Sequence, residues 1–218
     1  MERRMHPAGQ VRIQQREENK PPVIVGYAAV FWREGKPETE YAFGGWFGKI
    51  VERIMPGAFD RTILDDDVRG LFNHSPDYVL GRNKAGTMKL SVDEVGLQYE
   101  IVPPDAGYAR DLMASLTRGD ITGSSFAFDI TKQMWIEPED GTDDPIIREL
   151  HELKLWDVGP VTFPAYSGAT SGIRSRDPLS PSTLTEIELF QKGRTARRGL
   201  QLRARAVAVQ EEESRRRA

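Results

Sequence analysis

Apolar residues fall in short runs separated by charged or glycine-rich stretches, the pattern of a strand-rich domain. VIVGYAAVF (23–31) is short, apolar and β-branched, which predicts a buried strand. A charged loop follows from Arg33 to Glu40, then a glycine- and aromatic-rich patch, AFGGWFGKIVERI. PGAFDRTILDDD (56–67) predicts a short helix entered at Pro56–Gly57, with Phe59, Ile63 and Leu64 on one face. VRGLFNH reads as a strand again. Met88, Leu90 and Val92 alternate before a turn at Asp93–Gly96, and Leu97, Tyr99 and Ile101 alternate after it, so 88–101 predicts a hairpin. Tyr108, Leu112 and Leu116 recur every fourth residue, which predicts a helix over 105–119 capped by Asp105 and stopped by Gly119. ITGSSFAFDI (121–130) and ELHELKLWDVGPVTFPA (149–165) complete the strands, the latter setting Leu153, Leu155 and Asp157 against Glu152, Lys154 and Trp156. The linker DPLSPST then leads to a capping box at Thr183–Glu186 and a helix that Gly193 and Gly199 should interrupt.

These runs place one domain at 21–176, mainly β with helices. A polar, unpatterned lead-in at 1–20 precedes it and a tail at 177–218 follows. The 218 residues can bury a real core, and zero cysteine excludes a disulfide framework, Cys-ligated zinc and a thiolate nucleophile. It also fits a reducing cytosol. No run of about 18 apolar residues occurs, and the N-terminus lacks the apolar stretch of a secretory signal, so no membrane partner is expected. Charge is unevenly placed. Residues 191–218 hold nine Lys/Arg against three Glu, a net of +6, which leaves −9 of the total −3 to the first 190 residues. A basic tail can touch nucleic acid electrostatically. This one has no aromatic residue after Phe190 for base stacking and is broken by three glutamates, which argues against a nucleic-acid partner.

The chain has three histidines. His6 lies in the lead-in and His151 among charged neighbours. His74 ends the run Gly70–Leu71–Phe72, where a strand can fix an imidazole at a cleft; taken alone, an ordinary loop histidine is the plainer account. In GSSFAFDI, strand alternation sends Ser124, Phe126 and Phe128 one way and Ser125 and Ala127 the other. The aromatic face is core. Gly123, Ser125 and Ala127 then form a strip of small side chains, on which Ser125 becomes a nucleophile if a base is within reach; otherwise the strip simply packs under a neighbouring strand. Glu149, Glu152 and Asp157 on the last strand are the acids available to orient a histidine. There is no paired-histidine spacing for a metal and no glycine-rich phosphate loop, so neither a metal nor a cofactor is expected.

In this order GYAAVF (26–31), ERIMPGAFD (52–60), LFNHSPDYVLGR, GTMKLSVDEVGL, RGDITGSSFAF (118–128) and LKLWDVGPVTFPAY (153–166) resemble the tailed-phage prohead proteases of capsid maturation, distant relatives of herpesvirus assemblin. No single segment is specific, but all of them in register are. The resemblance implies a closed β-barrel flanked by helices and a serine endopeptidase with His74 and Ser125 on barrel strands, Ser125 being the serine directly before the aromatic. It places Glu152 as the third member, with Glu149 and Asp157 as rivals. Gly159 stands where the family usually has serine. Backbone amides or Arg82 could serve an oxyanion, and a salt bridge is an equal reading of Arg82. Implied substrates are the scaffold or the scaffold-like segment of the major capsid protein, cut inside the procapsid in the host cytoplasm. The chain itself is also implied as a substrate, cut in its tail, and self-association is implied too. The competing reading is a non-catalytic capsid- or scaffold-binding module on the same fold.

Overall fold

A computed structural model of the chain describes residues 1–6, 11–17, 20–45, 48–139, 142–163 and 179–217. The chain divides into two compact units, Met1–Pro178 and Leu179–Ala218.

The first unit holds eleven described strands: β1 (Glu2–His6), β2 (Arg12–Gln14), β3 (Val23–Val30), β4 (Tyr41–Gly45), β5 (Gly48–Ile54), β6 (Arg69–Leu71), β7 (Val79–Arg82), β8 (Met88–Val92), β9 (Gly96–Ile101), β10 (Gly123–Ile136) and β11 (Ile146–Val161). Helix α1 spans Thr62–Asp65 and α2 spans Gly107–Arg118. One sheet runs β1-β10-β11-β5-β4, with β6 and β7 attached to β11; the other runs β2-β3-β9-β8. Residues 1–20, read from the sequence as a lead-in, thus contribute a strand to each sheet: β1 pairs with β10, and β2 with β3.

The closed barrel expected from the resemblance is not formed among the described residues: both sheets are open, and the architecture is mainly β with three helices. Closure would need a ladder between the outer strands of a sheet, and β1 and β4 share none, while β11 pairs with β5 along 146–150 and with β6 at Asp157–Val158. The outer strands β1 and β4 meet through a side chain instead. Arg4 of β1 reaches Glu52 of β5 (Nε–Oε1 2.6 Å) and stacks over Phe43 of β4.

Phe59 packs edge-on against Phe126, which stacks on Phe128, and Ile24, Leu97 and Tyr99 are fully buried around them. Each such side chain contributes about 1.5–3 kcal/mol by leaving water. The expected 88–101 hairpin is present as β8–β9. The expected 56–67 helix shortens to the single turn of α1: Gly57 (φ +89°) keeps its first residues out of the helix, and Asp66 is already extended at its end. Helix α2 ends as expected, on Gly119 in the left-handed region (φ +80°), but Asp105 does not cap it. Ala106 holds that position and Asp105 instead pairs with Arg110.

In the second unit α3 runs unbroken from Pro181 to Arg217. Its start is set by Ser180, whose hydroxyl accepts the Thr183 backbone N–H (3.2 Å). The interruption expected at Gly193 and Gly199 does not occur. Each glycine costs about 1 kcal/mol relative to alanine, and good helix formers surround both. No helix among the described residues is long and apolar enough to cross a membrane.

Candidate active site

Three elements converge on one point. His74 lies in the turn after β6, Ser125 on β10 and Asp157 on β11. The His74 Nε2 is 2.6 Å from the Ser125 Oγ, and its Nδ1 is 2.5 Å from the Asp157 Oδ1. Ser125 is fully buried, and the side chains of His74 and Asp157 are 7% and 8% exposed. Polar interactions in such an enclosure are much less screened than at the surface.

The strand alternation expected for GSSFAF holds around Ser125. Ser124 points into the core and donates to the Tyr99 hydroxyl (3.0 Å), and burial pushes the Tyr99 phenol pKa up. Gly26 makes room for this contact, since a Cβ there would lie 2.7 Å from the Tyr99 hydroxyl. Ser125 faces the other way, where its hydroxyl also lies 3.0 Å from the Arg4 carbonyl oxygen.

Asp157 reaches the same face through an irregularity. Ala127 pairs with Asp157 but Phe128 pairs with Leu155, so Trp156 is an extra residue in β11. This bulge reverses the alternation: Leu155 stays opposite Phe128 in the core, while Asp157 lies opposite Ala127 beside Ser125. Strict alternation puts Asp157 on the face of Leu153 and Leu155, so no local sequence signal could have chosen it.

Glu152, favoured as the third member from the family resemblance, is not at this point. It lies five residues earlier on β11, about 16 Å of extended strand away. There it pairs with Arg61 (3.1 Å), the two side chains being 34% and 51% exposed. Glu149 bonds His151 (3.0 Å). His6 ends β1. Arg82 makes a two-pronged pair with Asp67 (both contacts 2.7 Å), which holds the Asp67 carboxyl at about 2, and so takes the salt-bridge reading. Among the described residues no group of three or more His, Cys, Asp or Glu is placed to hold a metal ion.

A hydroxyl and a carboxylate on neighbouring strands, with an imidazole from a turn between them rather than from the strand expected for His74, are the working parts of a serine peptidase. The chain matches the family model of the caudovirus prohead serine protease over residues 9–179 and belongs to that family. It is therefore a serine endopeptidase of prohead maturation. No curated protein and no solved structure matches the chain.

Proposed function

We propose that Ser125 is the nucleophile, His74 the general base and acid, and Asp157 the group that holds the imidazole. The observation that carries this reading is the unbroken relay from the Asp157 Oδ1 through His74 to the Ser125 Oγ, at 2.5 and 2.6 Å. With Nδ1–H donated to Asp157, Nε2 is free to take the serine proton as Oγ attacks a peptide carbonyl. The imidazolium then protonates the leaving amine, and Asp157 stabilises it while it carries charge.

The substrates in this proposal are the phage scaffold or the scaffold-like segment of the major capsid protein, cut inside the procapsid. The chain itself is also cut, beyond Arg176. The unit Met1–Pro178, whose β1 and β2 precede the boundary at 21 expected from the sequence, forms the catalytic domain, and the basic tail beyond it carries the enzyme into the procapsid and is then removed. Family membership and the +6 charge of residues 191–218 support this reading. The test is co-expression with the phage capsid protein. Wild type should process the capsid protein and shorten itself, and Ser125→Ala should do neither; processing by the mutant refutes the nucleophile. A chain lacking 177–218 should keep peptidase activity and be depleted from procapsids. Undiminished incorporation removes the targeting role.

A further inference from the structure

His74 stands on a backbone that side chains seldom adopt. Both Asn73 (φ +54°) and His74 (φ +56°) are left-handed, where a Cβ crowds the neighbouring carbonyl. Two such residues in succession persist only where the surroundings hold them.

The holding contacts to Asn73 and His74 come from the C-terminal half of β11 and the residue that follows it. The Asn73 backbone N–H donates to the Pro160 carbonyl (3.0 Å). The Asn73 Nδ2 donates to the Thr162 Oγ1 (2.9 Å), and the Thr162 backbone N–H donates back to the Asn73 Oδ1 (2.8 Å). The next residue, His74, turns its Nδ1 to Asp157 on the same strand. Ser125 pairs with Gly159 between these anchor points. The strand that supplies the carboxylate therefore also fixes the backbone that supplies the imidazole.

We propose that Asn73 is a positioning residue: its reciprocal clamp on Thr162 holds the left-handed turn that sets the His74 imidazole between Asp157 and Ser125. This rests on the assignment of Ser125 and His74 above. Asparagine suits the position on two counts. Its short amide carries an N–H donor group and an oxygen acceptor, both engaged by Thr162, and it tolerates the left-handed region better than most residues. Glycine would keep the backbone but lose the clamp; alanine would lose the clamp and add strain. Without the clamp the turn relaxes and the imidazole moves. A displacement of about 1 Å is enough to cost about 100-fold in rate.

The experiment measures the second-order rate of covalent labelling by a fluorophosphonate, which reports serine activation without a known substrate, on the full chain. Wild type should label and Ser125→Ala should not. Asn73→Gly should label ten- to a hundredfold more slowly with a melting temperature close to wild type, and Asn73→Ala at least as slowly. Thr162→Val should slow labelling by a smaller factor, since its backbone donor survives, and Thr162→Ser should restore it. Proton NMR adds a readout indifferent to mere stability: the downfield imidazole Nδ1–H signal should be sharp in wild type and broadened or lost in Asn73→Gly. The clamp alone is overturned if Asn73→Gly labels Ser125 within about twofold of wild type, or if its slowing only tracks the unfolded fraction. If Ser125→Ala labels at the wild-type rate, the nucleophile assignment falls and the clamp with it.

Discussion

Substituting Asp157 by Asn, with Glu152→Gln as its partner, separates the two acids that compete to orient His74. The Asp157 carboxylate lies 2.5 Å from the His74 Nδ1 with both side chains more than nine-tenths buried, so the amide leaves a developing imidazolium with no counter-charge. Removing one partner of a buried ion pair costs about 3–5 kcal/mol. At about 1.36 kcal/mol per tenfold in rate, that predicts a fall of about 10²–10⁴ in kcat/KM. The Glu152–Arg61 pair is substantially exposed and remote from the relay, and such pairs contribute about 0–1 kcal/mol to stability. Glu152→Gln should therefore process substrate at close to the wild-type rate. The assay is initial-rate cleavage of a peptide spanning the junction mapped from wild-type capsid processing, with circular dichroism confirming that each variant is folded. A folded Asp157→Asn with near-normal kcat/KM, or a Glu152→Gln loss of a hundredfold or more, refutes the reasoning.

Further predictions concern the frame around the site. Gly159→Ala should destabilise the chain by the upper end of about 1–3 kcal/mol or more, because the new Cβ would lie 2.0 Å from the Leu71 backbone oxygen, which cannot yield as a side chain can; an unchanged melting temperature would rule this out. Glu52→Gln should cost about 3–5 kcal/mol in chemical denaturation, because it strips the shared carboxylate from the buried guanidiniums of Arg4 and Arg148. Asp67 is held at about 2, down from 3.8, by its hydrogen bond from Arg82 and by the nearby charge of Arg69. Its depressed value means a stabilisation fully present above pH 3.8 and lost as pH falls through about 2. Asp67→Asn should therefore melt with a shallower decline over that range, and parallel wild-type and mutant profiles would contradict the assignment.

Part of the geometry at the candidate site was legible along the chain. Alternation in GSSFAF separates Ser125 from Ser124, because the aromatic face of a strand must be buried, and the core contact of Ser124 with Tyr99 follows from the same parity. Of the three histidines, His74 was read at the end of an apolar run, where an ordinary loop histidine was the plainer account; the fold sets it in a turn beside Ser125 and Asp157. The β8–β9 hairpin and the body of α2 were equally readable, since each is set by neighbours two to four residues apart. The strand β1 was not. Its sequence, ERRMH, has no apolar pattern because the side chains it buries, Glu2 and Arg4, are charged, with Arg4 held between Glu2 and Glu52.

The sequence alone thus determined which residues are chemically able to act, and the local elements on which they ride. Tertiary structure decided which of them meet. Asp157 displaces Glu152 because one extra residue, Trp156, reverses the facing of β11 against β10, an event of pairing between strands that neither strand records by itself. The sheet is open among the described residues because its outer strands β1 and β4 share no ladder, while β11 changes partner from β5 to β6 partway along its length. The left-handed turn at Asn73–His74 is likewise held from β11 and Thr162, more than eighty residues away in sequence. Local propensity acts over a few residues, whereas register, bulges and partner exchange are settled by long-range contacts, and the third member of the relay depends on these.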